Sequence, residues 1–333
     1  MLRSLYAGIS GMKANQTKLD IIANNIANCG TTAFKSSRVR FQDMVSQSMS
    51  DASSSSTNTG GVNGKQIGLG VQIAGIDTMV GQGMMQPTSR NLDVAMDGEG
   101  YLIVATGAIG GSVSLDTDHK IDATKPSGFD ISYTRDGALT LDDAGHLLTS
   151  DGLRVMGYSV GGSLTNGTDG KTTTKFVNAN DKTTLPKADE GLIALSIPDT
   201  IGEGDDAKKV KSFSIEKDGT IKATLEGDGV TVIGQIAMAS FNNPAGLSKV
   251  GKNLYTSTSN SGQAVVRSGL AADATNDNSK AYGSMLSGML EMSNVDLAEQ
   301  FTDMIVASRA FQAMGKTITT GDEILQDIIG LKR

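Results

Sequence analysis

Apolar residues recur at helical spacing at both ends of this chain, and those two stripes limit what it can fold into more than any other feature. Near the N-terminus, Leu2, Leu5, Ile9, Met12, Gln16, Leu19, Ala23 and Ile26 step by three and four, all apolar except Gln16, with Ile22 beside them. This spacing predicts an amphipathic helix over residues 1–28. Gly8 and Gly11 each cost such a helix about 1 kcal/mol relative to Ala, so its order has to come from packing. Near the C-terminus Leu297, Met304, Phe311, Ile318 and Leu325 recur every seven residues, flanked by Phe301, Ile305, Met314, Ile324 and Ile328. Ser293 with Asp296 three positions on has the form of a capping box, and the pattern continues to about Leu331 before Lys332 and Arg333 at the negative end of the helix dipole. At 1.5 Å per residue that helix is about 55 Å long.

Between the ends the period falls from near 3.6 to 2. Ile67, Leu69, Val71 and Ile73 alternate with small or polar residues, as a half-buried strand does. Leu92, Val94 and Met96 run into Asp97-Gly98 and emerge as Tyr101, Ile103 and Ala105; Asp136-Gly137, Asp151-Gly152 and Asp218-Gly219 also separate apolar alternations. Asp-Gly suits tight hairpin turns because both residues tolerate positive φ.

Residues 46–66 and 271–280 are too polar and small to bury a core and read as linkers. A Gly-, Thr-, Asn- and Asp-rich stretch from about 161 to 190 reads as a loop-rich insertion inside the β region. The expected fold is therefore α+β and multidomain: terminal α-helices forming a coiled-coil-like inner domain, with mainly-β middle and outer domains. The expected boundaries are 1–30 plus 285–333 for the helical polymerisation domain, 31–68 plus 271–284 for the linkers, 69–147 plus 237–270 for the middle domain and 148–236 for an outer inserted domain.

Composition narrows the function. A net charge of −7 with scattered Lys and Arg offers no dense basic face for phosphates, so nucleic acid is a poor partner. Lys208, Lys209 and Lys211 read as a solvated strand or loop face. The single cysteine, Cys29, cannot form an internal disulfide. Arg3 is followed by a short apolar stretch broken by Ser, Gly and Lys13, unlike a cleaved secretory signal, and no run reaches the length of a membrane helix.

Chemistry-bearing constellations are sparse. His119 and His146 are the only histidines, with no metal-ligand or triad spacing. Residues 60–66 (GGVNGKQ) fall one short of a phosphate-loop spacing and carry Gln66 where Ser or Thr would hold magnesium. Asp116, Asp118 and Asp122 lack the Gly and Glu of a calcium loop. Asn15 and Asn166 begin glycosylation sequons, the first inside the expected helix. No catalytic, cofactor or metal residue is assigned, and the chain reads as structural.

Two burials would satisfy the terminal stripes: packing on each other inside one globule, or packing on other copies of the chain. Both helices are cut off from the β middle by polar stretches and carry apolar residues on more than one side, which favours the second. A head-to-tail contact repeated without closure gives a helical tube. The expected polymerisation interface is Leu2, Leu5, Ile9, Met12, Leu19, Ile22, Ile26, Leu297, Phe301, Met304, Phe311, Ile318 and Leu325.

Asn24-Asn25-Ile26-Ala27-Asn28, followed by Thr31-Thr32 and Phe34-Lys35, resembles the signature of the bacterial flagellar rod, hook and hook-filament family of axial proteins. Ser293-Asn294-Val295-Asp296-Leu297, Met304-Ile305, Arg309, Phe311-Gln312, Thr317-Ile318 and Ile324-Leu325 resemble its closing helix. Residues 69–76 (LGVQIAGI), 92–95 (LDVA), 133–137 (YTRDG) and 241–247 (FNNPAGL) most resemble hook members. Cys29 and Ala33 depart from the family, Ala33 standing where Gly is common. The resemblance implies a subunit of a flexible tube joining rod to filament and transmitting torque, located outside the cell in the flagellum. It implies many copies of the chain, a hook cap protein, the distal rod protein, a hook-filament junction protein and the flagellar type III export apparatus as partners, without direct membrane insertion. The rival within the family is the distal rod, a stiff drive shaft. The long segment between Phe41 and Gly68 suits that rival, because extra linker contacts stiffen a tube, while the roughly ninety residues at 148–236 suit the hook.

Overall fold

A computed structural model of the protein describes residues 2–55, 60–108, 110–116, 119–121, 128–167, 172–179, 191–202, 207–227, 229–267 and 283–331, with side chains from Ser4 onward. The described chain forms two compact units, one from residues 1–30, 35–79 and 295–333, the other from 31–34 and 80–294. Helical ends and a mostly-β middle are the fold class that the change of period predicts.

In the first unit, α1 (Leu2–Ala27) and α2 (Leu297–Gly330) coincide closely with the two stripes. At 1.5 Å per residue α2 is about 50 Å long. The α2 N-cap is Asp296, whose carboxylate accepts from the Ala298 and Glu299 amides, so the capping residue is Asp296 and not Ser293, three positions before it. A carboxylate one residue before the helix satisfies two of its first orphan amides. Lys332 and Arg333 lie outside the described residues.

The stretch expected as linker at 31–68 is an antiparallel arm over much of its length. Strand β1 (Ser37–Asp43) pairs with β4 (Val71–Thr78), and beyond them β2 (Ser46–Ser50) pairs with β3 (Lys65–Gly68). The outer pair is exposed at every residue. Polarity therefore excluded a core here, as expected, but backbone pairing needs no core. The alternation around Leu69–Ile76 does mark a strand, yet β4 folds with α1 and β1 in the helical unit and not with the middle domain. The linker expected at 271–284 falls almost wholly outside the described residues.

Among the described residues the second unit is built on one sheet of 14 strands, antiparallel in every pairing. After the short strands β5 (Met85–Pro87) and β6 (Val94–Asp97), the chain enters the centre of this sheet, β7 (Tyr101–Thr106), flanked by β8 (Asp130–Thr134) and the strand Arg154–Tyr158. Beyond these lie the strands at 230–236, 220–225 and 208–215 on one side and 254–256 and 248–251 on the other. Leu102 and Val104 of β7 enter one apolar cluster, and Tyr101, Ile103 and Ala105 enter another. Both faces of β7 are thus covered, which is why its sequence is a continuous apolar run instead of an alternation. The first cluster draws on Leu139 and Leu147 together with Val155, Leu195, Ile221 and Ile233. Pairing of Arg154 and Val155 with Ala105 and Val104 carries the ladder across the boundary expected at 148. Asp151-Gly152 and Asp218-Gly219 turn tight hairpins as expected, with Gly152 at φ 79° and Gly219 at φ 81°.

Candidate functional site

The helical ends are where the sequence concentrates its constraint. α1 and α2 pair antiparallel through small residues. A Cβ built on Gly8 would lie 3.3 Å from Ile318 Cγ1, one on Gly11 would lie 3.3 Å from Met314 Sδ, and one on Gly321 would lie 2.9 Å from Leu5 Cδ2. The glycines that weaken α1 as a lone helix are therefore the positions where α2 comes closest. Lys18 Nζ reaches Asp303 Oδ1 at 3.2 Å, and Asn25 Nδ2 donates to Gln300 Oε1 at 3.0 Å, extending the pairing along both helices.

This pairing uses only part of the expected interface. Ile22 is buried, and Leu5, Met12, Leu19, Ile26, Met304, Ile318 and Leu325 are half-buried. Ile9, Leu297, Phe301 and Phe311 remain exposed, and the side chain of Leu2 lies outside the described set. The buried stripe of α1 runs through Gly8, Gly11, Ala14, Ile22 and Asn25, rotated from the stripe that apolarity marked, because small residues admit the partner helix and larger ones do not. The periodicity had also missed Tyr6, Val306 and Ile329, which are 69%, 57% and 70% exposed. With Ile305, Ile324, Ile328 and Leu331 they leave apolar groups on sides of the pair that no described residue covers. Each side chain about half exposed leaves on the order of 1 kcal/mol of transfer free energy to be gained by covering it.

The signature residues hold the frame of these helices. Asn25 is buried; its Oδ1 accepts from Ser37 N at 3.0 Å and its Nδ2 donates to Ser37 O at 2.8 Å, so the amide imitates a strand partner for the start of β1. Asn28 Nδ2 donates to Asn24 O at 2.9 Å and to Asn24 Oδ1 at 3.0 Å where α1 ends. Ala27 is exposed and Lys35 is buried. In the other unit, Phe34 stacks under Lys249 Nζ at 5.0 Å, and Asn294 donates from its backbone to Phe34 O and from Nδ2 to Gly81 O. Val295 is half-buried beside the capping Asp296. Ala33 has φ 54° and is buried.

Elsewhere the polar chemistry is structural. Among the described residues no group of His, Cys, Asp and Glu could hold a metal, and no helix there is long and apolar enough to cross a membrane. His146 is buried in a β-bridge with Ser196, and His119 sits in a turn at φ 54°. Asp118, Asp122 and residues 56–59 lie outside the described residues; Lys208, Lys209 and Lys211 form the exposed face expected of them. Burial pushes the Tyr133, Tyr158 and Tyr255 phenols well above their ordinary pKa. Arg135 and Glu291, both buried, form an ion pair at 3.1 Å.

Two long helices thus hold each other through glycines while several of their larger apolar groups stay exposed, the arrangement of a structural protein. Comparison with known proteins agrees. Residues 5–35 match the family described as "Flagella basal body rod protein", residues 121–223 "Flagellar hook protein FlgE/F/G D1 domain", and residues 286–331 "Flagellar basal body rod FlgEFG protein C-terminal". The chain is 41% identical over 334 residues to the flagellar basal-body rod protein FlgG of Bacillus subtilis, covering 100% of both. It is 30% identical over 471 residues to the flagellar hook protein FlgE of Borreliella burgdorferi, again covering 100% of both. A solved structure of Helicobacter pylori flagellar hook protein FlgE2 aligns at TM-score 0.39 and 11% identity, covering 62% of this chain and 100% of that one, a likeness on which nothing here rests. The chain belongs to the bacterial flagellar family of rod and hook axial proteins. It is a structural protein and not an enzyme, and membership implies self-polymerisation within the flagellar axis.

Proposed function

We propose that this chain is the subunit of the flagellar hook, polymerising through its helical ends into a tube that joins rod to filament and carries motor torque. The observation that carries the polymer is the set of apolar side chains on α1 and α2 that the helix pair leaves open. The expected interface residues Leu2, Leu5, Ile9, Met12, Leu19, Ile22, Ile26, Leu297, Phe301, Met304, Phe311, Ile318 and Leu325 then divide in two. Those turned toward the partner helix set the pair, and those turned outward meet other copies. In this reading the helices of neighbouring copies surround the export channel, and contacts that slide between the β-rich units of neighbouring copies permit bending. Copies of the chain, the cap, the distal rod and the junction protein are its neighbours, and export through the flagellar type III apparatus delivers it outside the cell.

The hook reading is supported by the residues at 148–236, which the sequence marks as additional to a rod subunit and whose strands belong to the main sheet of the β-rich unit. The distal rod is a second reading, favoured by the 41% identity to a protein named for the rod and by the arm at residues 37–78, which offers the linker contacts a stiff shaft needs. Electron microscopy of a strain lacking the gene separates them. Basal bodies with a complete rod and no hook support the hook; truncated rods assign the chain to the rod.

A further inference from the structure

We propose that the buried Arg135–Glu291 pair is a lock that binds together the three stretches, 31–34, 80–87 and 288–294, by which the β-rich unit continues into the rest of the chain. Glu291 touches both of the other stretches and, unlike Asn294, which also reaches both, is anchored to the core through Arg135. One carboxylate oxygen, Oε1, accepts from Gly83 N at 2.8 Å, the other, Oε2, accepts from Arg135 Nε at 3.1 Å, and the Glu291 carbonyl accepts from Ala33 N at 2.8 Å. Neighbouring bonds repeat the pattern: Met292 N donates to Met84 O at 2.8 Å, Asn294 N to Phe34 O at 3.3 Å, and Asn294 Nδ2 to Gly81 O at 3.1 Å. Strand β5 (Met85–Pro87) pairs with the strand Met289–Glu291 just beyond.

The approach leaves no slack. A Cβ at Gly83 would lie 1.9 Å from the Met292 carbonyl oxygen, so no side chain fits between the two stretches. Arg135 is itself held by the core: it follows β8 directly, its guanidinium donates to Gly98 O, and it lies 5.6 Å from the centre of the Tyr101 ring. Both charges are out of water, with side-chain exposures of 1% and 0%. Opening the pair would strand a bare charge, so it closes or opens as a unit instead of fraying. A pair of apolar residues of similar volume would serve stability as well. What the ion pair adds is a fixed geometry, in which the residue that holds Gly83 through its carboxylate and Ala33 through its backbone carbonyl is anchored to Arg135.

The test is native-state hydrogen exchange on the full-length chain, kept dilute, with Glu291→Gln. The amide at 291 can still accept, but it no longer carries the charge that pairs Arg135. The amides of Ala33, Gly83, Met292 and Asn294 are expected to exchange at least about tenfold faster, while those of β7 and the strand Thr220–Leu225 keep their rates. A uniform rise across the β-rich unit would mean the pair serves only global stability, and unchanged rates would mean it locks nothing; either overturns the proposal. Arg135→Lys keeps the charge but loses the fork that reaches both Glu291 and Gly98, and is expected to give an intermediate, equally local rise. If Glu291→Gln does not fold, the lysine variant decides by the same comparison of local against core amides. None of these outcomes depends on whether the chain builds hook or rod.

Discussion

The side-chain amide of Asn25 serves as strand partner to Ser37 and as contact to Gln300 at once. Its importance was legible as a family pattern, but its role was not, because the residues it joins lie 12 and 275 positions away. Ala33 is the opposite case. Family preference for Gly hinted at a special backbone, and φ 54° supplies the reason, since an L side chain in the left-handed region costs about 1 to 2 kcal/mol. Ala33→Gly removes that strain at the expense of unfolded-state entropy, and is expected to stabilise the β-rich unit by about 0.5 kcal/mol in denaturant titration. The buried phenols give a pH dependence. Tyr133, Tyr158 and Tyr255 are held neutral by burial, with folded pKa values above the ordinary 10.0. Below pH 10 their contribution to stability is complete. As pH rises past 10 toward the folded values the unfolded chain gains by ionising, and stability falls by up to about 1.4 kcal/mol per pH unit for each tyrosine. Equilibrium unfolding followed across that range should show the loss together with tyrosinate absorbance. Constant stability between pH 9 and 11 would contradict the burial.

Among the elements, the two helices were the most legible, because a period near 3.6 sustained over 26 and 34 residues has no competing explanation. Which face turns inward was only partly legible, since Leu5, Ile22 and Ile318 do turn toward the pair. Apolar spacing marked Ile9 and Phe311, whereas contact is made at Gly8 and Gly11, where absence of a side chain is the signal. The arm at 37–78 was read as linker because its residues bury little, and burial is what sequence patterns report; its register is carried by backbone bonds that composition does not encode. These faces predict opposite behaviour for two substitutions. Gly11→Val inserts a branched side chain where only 3.3 Å separates a Cβ from Met314, so the helix pair itself should loosen and the chain lose helix by circular dichroism. Ile305→Asp lies on an open side, 63% exposed, so the isolated chain should keep its helix content and thermal midpoint within about 0.5 kcal/mol of stability. In a polymer the same carboxylate is buried without a partner, so sedimentable assemblies should vanish. An aspartate variant that unfolds as a monomer, or one that assembles normally, would place Ile305 elsewhere.

For the whole molecule, the division between helical ends and β middle was visible in the change of period, while strand pairing across residue 148, where an outer domain is expected to begin, was not. Asp-Gly turns and a loop-rich stretch look alike whether they separate domains or connect strands of one sheet, and only long-range pairing of Arg154 and Val155 with β7 distinguishes the two. The functional account rests on helices whose outward apolar groups are covered by neighbouring copies. Electron microscopy of the purified full-length chain over a dilution series tests this most directly. Regular tubes that appear above a threshold concentration and dissolve below it are the predicted result. A chain that stays monomeric at every concentration, with α1 and α2 already protected from hydrogen exchange on all sides, would contradict it.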